Sequence, residues 1–336
     1  MVTVKDVARE AKVSPATVSR VLSKSAYVSP EKRERVLAAM RKLGYVPNLA
    51  AQSLRGNEPF AGGMLRGIGV IVSSGALRFS HEFFAPILDG IHMELKNQQQ
   101  LLAFSRQIDE FANDPWLLNL LSPEACTGLI FVGCSPYNDK ILTQVIDWEI
   151  PVVLVEFTYK GLDAVIADKR DGMRQAVCHL VSLGHKRLIY VGPRDERAES
   201  FEQAVLSAGL EFGDDSVVEA PFSMARAYEV FRGVLGRKDF TGIVAACDTV
   251  AIGVIRAIHD AGLSVPEDLS VIGFDDLLVA SFLTPRLTTV AVNKVELGRY
   301  AVRRLIDKLE MEGSSGTITI CPVHLVVRES TSPPRT

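Results

Sequence analysis

The 336-residue chain is 47% hydrophobic and carries a formal net charge of −3, which excludes a disordered polyelectrolyte and predicts a globular protein of two or three domains. The opening MVTVKDVAREAK has charges where a signal peptide needs an apolar core, and no uncharged stretch approaches the roughly 18 residues of a membrane span, so a cytoplasmic protein with no membrane partner is expected. The charge is unevenly divided: residues 1–57 hold 11 Lys/Arg against 4 Asp/Glu, a net of +7, and the remainder 26 against 36, a net of −10. A cationic module on an acidic body suits phosphate contact by one part and a different task for the other.

Three short helices are predicted within residues 1–46. Thr3 and Asp6 have capping-box spacing, and Val4, Val7, Ala8 and Ala11 follow at i, i+3, i+4 and i+7. In KVSPATVSRVL, Ser14 is a good N-cap and Pro15 falls at the first helical position, where its missing N–H costs nothing, so the proline starts a helix. That helix buries Val18, Val21 and Leu22 and turns Ala16, Ser19 and Arg20 outward. Ser29-Pro30 opens the third, with Val36, Leu37 and Met40 on one face and Gly44 at its end. Helix, tight turn, helix with its N-terminus presented is the pattern of a helix-turn-helix that enters the DNA major groove; a helical cap with a solvated basic face is the plainer alternative. YVPNLAAQSLRGN then offers a cap at Asn48, about two turns of helix and a stop at Gly56, too short to hold without a packing partner. EPFAGGMLRG, residues 58–67, reads as a linker.

From Ile68 onward, apolar runs of strand length (GVIVSS, TGLIFVG, PVVLVEF, AVIAD, RLIYVG, GIVAACD, LSVIGFDD) alternate with helical stretches. Alternating strand and helix predicts a doubly wound α/β body with parallel sheets, two lobes for some 270 residues. Ligands of such sheets sit beyond the carboxyl ends of strands, which selects Ser73 and Ser74, Glu156, Asp248 and Asp275; for Asp248 and Asp276, capping the following helix is an equal alternative. Five scattered cysteines (Cys126, Cys134, Cys178, Cys247, Cys321), with no CxxC pair and no zinc-type histidine spacing, support neither disulfides nor a metal site. GxxxxGK[ST], GxSxG and HExxH are missing, the six histidines are dispersed, and the adjacent Asp275 and Asp276 make a poor acid/base pair, so catalysis is not expected.

The pieces VKDVAREAKVSPATVSRVL, VSPEKRERVLAAMRKLGYVPN, AAQSLRG, HLVSLGHKRLIYVG, SVPEDLSVIGFDD and TPRLTTV, in this order and spacing, resemble the LacI/GalR repressors over nearly the whole chain. The resemblance implies a helix-turn-helix domain at 1–46, a hinge helix at 47–57, a linker at 58–67, an effector-binding and dimerisation body at 68–330, and a tail at 331–336. The body is then like the type I periplasmic sugar-binding proteins, with an N-lobe of about 68–166 plus 295–320 and a C-lobe of about 167–292 plus 321–330. It implies a homodimeric repressor on a palindromic double-stranded operator, controlled by a small-molecule effector, a sugar or sugar derivative, with no cofactor. Ligand-driven lobe closure would help or hinder the paired hinge helices. A purine or other non-sugar corepressor is the alternative, a partner protein at the pocket is a third possibility, and the sign of regulation stays open.

By the same resemblance Pro15, Ala16 and Arg20 face base edges. Only Arg20 offers a fork for guanine, while Pro15 and Ala16 are limited to apolar contact. Ser14, Thr17 and Ser19 suit phosphate contact, and Ser14 can also cap. Asn48 caps the hinge helix, Ala51 allows close approach, and Leu54, flanked by Arg55, is the minor-groove wedge or a packing contact. Arg197 and Phe222 join the effector set, the guanidinium donating beside Asp275 and the ring stacking. Phe79, with Arg78 and His81, lies on a long loop expected at the pocket mouth, and Cys247 and Val292 stand where many relatives carry an amide.

Overall fold

The computed structural model describes residues 3–23, 28–43, 45, 67–73, 82–123, 125–133, 139–159, 161–236, 240–310 and 316–335. Three helices, α1 (Val4–Ala11), α2 (Pro15–Ser23) and α3 (Pro30–Leu43), form the N-terminal module. At its start the Asp6 carboxylate accepts from the Thr3 backbone N at 2.9 Å and from the Thr3 hydroxyl at 2.6 Å, and these bonds, the hydroxyl's first, hold the Asp6 carboxyl below its ordinary range. Lys12 ends α1 in the left-handed conformation (φ 52°), and Ser14 caps α2, accepting from Thr17 N at 3.2 Å. A single core of Val7, Ala8, Ala11, Val18, Val21, Leu22, Val36, Ala39, Met40 and Tyr45 joins the three helices. Leu37, expected on the buried face of α3, is only half-buried, and Ala39 takes the place beside Met40.

Residues 1–165 with 298–319 form one compact unit, and 166–297 with 320–336 a second. In the first unit β1 (Gly67–Val72), β2 (Leu102–Gln107), β3 (Cys126–Val132), β4 (Val152–Val155) and β5 (Asp163–Ala167) alternate with α4 (Phe84–Asn97), α5 (Ile108–Asn113) and α6 (Asp139–Asp147). The second unit runs through α7 (Lys169–Ser182), β6 (Leu188–Gly192), α8 (Glu196–Ser207), β7 (Val217–Glu219), α9 (Met224–Arg232), β8 (Gly242–Ala245), α10 (Asp248–Asp260), β9 (Ser270–Asp275) and β10 (Thr288–Val292). After α11 (Lys294–Glu310), β11 (Ile318–Cys321) joins the first sheet and β12 (Val323–Val326) the second.

The first sheet has the order β11-β5-β4-β3-β1-β2 and the second β12-β10-β9-β8-β6-β7. The pairings β2–β1–β3–β4–β5 are parallel, as are β7–β6–β8–β9–β10, while β12 pairs antiparallel with β10. Strands β1, β4, β8 and β9 are buried along their whole length and β3 at all but Thr127, and these are the apolar runs of the sequence. The edge strands β2 and β11 are mostly exposed or half-buried.

Two buried carboxylates anchor α11 in the first unit. Glu94 on α4 accepts from Arg303 Nε at 2.8 Å and Arg299 Nε at 3.1 Å, and the Arg303 bond holds its carboxyl at about 2. Asp163, fully buried on β5, accepts from Arg304 at 2.7 Å and from Lys308.

Residues 331–336, expected to be a tail, are instead docked through 335. The Ser332 backbone N donates to Ser270 Oγ at 3.0 Å, the Ser332 carbonyl pairs with His185 Nε2 at 2.9 Å, and Thr331 Oγ1 lies 3.0 Å from His179 Nε2. The buried His185 and Ser270 and the half-buried His179 find hydrogen-bond partners in residues 331 and 332. Burial keeps both imidazoles below their ordinary pKa.

Candidate nucleic-acid interface and effector site

On α2, Ser14, Pro15, Ala16, Ser19 and Arg20 are exposed, Thr17 is half-buried with its hydroxyl 2.9 Å from Ser14 Oγ, and Val18, Val21 and Leu22 form the opposite, buried face. The module thus presents the helix N-terminus with small side chains and one cation, a surface able to approach a phosphate backbone closely. Its turn is held from behind. Arg35 on α3 donates to the Ala11 carbonyl from Nε at 3.1 Å and Nη2 at 2.5 Å, and to the Lys12 carbonyl at 2.9 Å. Reading the sequence alone misses Arg35, because nothing local marks which arginine of KRERV folds back. Asn48, Ala51, Leu54 and Arg55 lie outside the described residues, as do Ser74, Phe79, Arg78 and His81.

In the first unit Ser73 follows β1, half-buried, its backbone N donating to the Val132 carbonyl at 2.9 Å, and Glu156 follows β4 in the left-handed region (φ 68°). The second unit gathers more of the candidates. Arg197, in the first turn of α8, is 13% exposed and pairs with Asp195 Oδ2 at 2.9 Å. Asp195 also accepts from Arg197 N at 2.9 Å and so caps α8. The guanidinium carbon lies 5.2 Å from the Phe222 ring centroid and 5.9 Å from that of Phe274, within the range of cation–π attraction. Phe222 keeps 53% of its surface exposed, so one aromatic ring beside a fixed cation faces outward.

Asp275 and Asp276 close β9 with φ of 108° and 51°. Neither is glycine, and such conformations cost on the order of 1–3 kcal/mol each, so they persist only where the surroundings enforce them. Lys294 Nζ bonds the carbonyls of Asp275, Asp276 (3.3 Å) and Val292 (3.2 Å), and Arg328 Nη2 meets the Asp276 carboxylate at 2.6 Å. Asp276 is therefore an ion-pair partner inside the turn, and Asp275 is left as its candidate for ligand contact.

Asp248 is placed differently from its expected role at the effector. It is 0% exposed, and its oxygens accept from Leu277 N at 2.7 Å and Thr289 Oγ1 at 2.5 Å. The N-cap of α10 is Cys247, so Asp248 is also not the helix cap that formed the alternative. Cys247 is buried, its thiol pushed up to about 12 by that burial, and Val292 is buried on β10. These two positions bring no charge and little hydrogen-bonding capacity. Asp195 has a legible signal in the sequence as a cap ahead of ERAESF, whereas Phe274, Thr289, Lys294 and Arg328 contribute mainly through contacts between separate elements.

Residues 3–48 match the family described as bacterial regulatory proteins, lacI family, and residues 177–331 match a periplasmic binding protein-like domain. The sequence is 32% identical to the HTH-type transcriptional repressor PurR of Haemophilus influenzae over 98% of both chains. The chain belongs to the lacI family. Among solved structures, this lacI-family chain is similar to the transcriptional regulator CelR in complex with cellobiose, with a TM-score of 0.70 and 28% identity over 98% of this chain and 100% of that one. It is also similar to the lac repressor dimer bound to operator and the anti-inducer ONPF, with a TM-score of 0.68 and 29% identity over 98% and 99%. The lacI-family protein is a sequence-specific DNA-binding regulator of transcription, built from a helix-turn-helix module and a two-sheet α/β body. Among its described residues no helix is long and apolar enough to cross a membrane.

Proposed function

We propose that the protein is a homodimeric repressor of a palindromic operator whose affinity is set by a small sugar-like effector bound at the strand ends of the second unit. One observation carries the effector reading: Arg197 is held by Asp195 against two aromatic rings, beyond the carboxyl ends of the same parallel sheet as Asp275. A fixed guanidinium donor and a carboxylate acceptor suit neighbouring hydroxyls, and the outward ring of Phe222 suits the apolar face of a pyranose or furanose. The buried, apolar Cys247 and Val292 favour a ligand with fewer polar groups on one side. The complex of CelR with cellobiose supports the sugar class, and the lac repressor dimer on its operator supports the dimeric, DNA-bound form. On α2, Arg20 reads a base edge, while Pro15 and Ala16 add apolar contact and Ser14, Thr17 and Ser19 contact phosphates.

A thermal-shift screen of sugars, sugar phosphates and nucleobases, followed by operator binding with each hit, tests this. A sugar is expected to raise the melting temperature and alter operator affinity, with Arg197→Ala and Asp275→Ala abolishing the response while DNA binding persists. A response retained in both variants removes the site, and a response to nucleobases alone replaces the sugar with the purine class, for which the exposed Phe222 ring is an equally good stacking surface.

A further inference from the structure

Asp248 is the buried acid that the effector reading leaves without a task. Its carboxylate serves residues 29 and 41 positions further along the chain, Leu277 and Thr289, rather than the amides of the helix it begins. Thr289 Oγ1, which donates to Asp248, also accepts from Asp276 N at 3.4 Å. One carboxylate therefore holds two amides of the left-handed pair Asp275–Asp276 and its exit: the amide after it directly, and the amide within it through a hydroxyl. Space for the carboxylate exists because residue 273 is glycine. A Cβ there would lie 2.1 Å from Asp248 Oδ1 and 3.2 Å from its Cγ.

We propose that Asp248 is a positioning residue for the effector site: its carboxyl group braces the Asp275–Asp276 turn through Leu277 and Thr289 and so sets where Asp275 is presented. This rests on the reading that Asp275 contacts the effector. Two non-glycine residues at positive φ do not hold that shape by themselves, and the brace acts with Lys294 on the turn's carbonyls and Arg328 on the Asp276 side chain.

The brace responds to charge. Both bonds donate into the carboxylate; a proton on the oxygen facing Thr289 reverses that bond, the acid donating to the hydroxyl, and leaves the other oxygen to accept from Leu277 N. Burial pushes the Asp248 carboxyl up to about 7, Asp276 adds to the rise, and the Thr289 hydroxyl, the Leu277 amide and the Lys294 ammonium oppose it. The neighbouring Cys247 feels the charges of Asp248, Asp275 and Arg197. Opening the turn returns the buried carboxyl to water and to its ordinary range, so the closed turn holds the proton more tightly than the open one: the brace is strongest below about pH 7 and weakens as the carboxyl ionises above that value.

Hydrogen–deuterium exchange of residues 274–278 in the full-length protein without effector, from pH 5.5 to 8.5 and corrected for intrinsic exchange, reads the brace directly. Protection of the Leu277 amide is expected to fall at least tenfold as pH rises from 5.5 to 8.5 in the wild type. Asp248→Asn, which keeps the shape but cannot titrate, should show a flat profile. Thr289→Val, a milder change, should deprotect Asp276 while Leu277 stays protected. A wild-type pH profile that persists in Asp248→Asn, or Leu277 and Asp276 protection unchanged in both variants, overturns the proposal. Because no effector is present, these outcomes are separate from those of Asp275→Ala in the effector screen: an effector response that survives Asp275→Ala removes the effector reading and leaves the exchange result standing.

Discussion

Arg35→Ala tests how the helix-turn-helix is built. The guanidinium makes three hydrogen bonds to two carbonyls of the turn, at 2.5, 2.9 and 3.1 Å, and one of those carbonyls belongs to Lys12, whose φ of 52° the turn must enforce. A hydrogen bond involving a charged group contributes roughly 1.5–3 kcal/mol net. Here water can replace part of the lost contact because the turn is partly exposed, so the expected loss is about 2 kcal/mol. A module of this size has a total stability of only a few kcal/mol, so opening becomes about 30-fold more frequent. Amide exchange of residues 4–23 in the full-length protein should accelerate by that factor, while the preferred operator sequence stays the same, because Arg35 acts through the chain and not on a base. Exchange within twofold of wild type would refute the clamp, and unchanged exchange with sequence-independent weakening of DNA binding would make Arg35 a phosphate contact instead.

Arg20→Ala should do the reverse, leaving amide exchange of the module unchanged and relaxing preference at one base pair per half-site by about 1–3 kcal/mol; uniform weakening across sequences, measured on a randomised operator library, would reduce Arg20 to phosphate contact. Glu94→Gln should lower the stability of the first unit by about 1–3 kcal/mol at pH 7, the lower part of the range reflecting solvent screening at the half-exposed Arg299 and Arg303. Because the folded-state carboxyl is depressed from 4.5 to about 2, the wild type's advantage in urea unfolding is complete above pH 4.5 and closes as pH falls toward 2. An advantage independent of pH over that interval would mean that packing, not the ion pair, carries the effect.

Sequence alone determined the local decisions. Pro15 starts α2 because Ser14 caps it and the first helical position needs no N–H, and the buried and exposed faces of that helix follow from the spacing of Val18, Val21 and Leu22 against Ala16, Ser19 and Arg20. Strands β1, β3, β4, β5, β6, β8 and β9 were equally legible, since strands buried on both faces are mostly continuous apolar runs. The interior strand β10, whose buried run opens with Thr288 and Thr289, was not, nor were the largely exposed edge strands β2 and β11, which leave no run to read. Tertiary structure alone decided which polar groups meet. Arg35 reaches a turn 23 residues away, Ser332 satisfies buried groups 62 and 147 residues away, and Asp248, which reads from sequence as a ligand contact or a helix cap, serves Leu277 and Thr289 instead. Periodicity and capping act over a few residues and are written in order along the chain. A buried donor or acceptor accepts whichever partner folding brings within about 3 Å, and nothing in the neighbouring sequence records that choice.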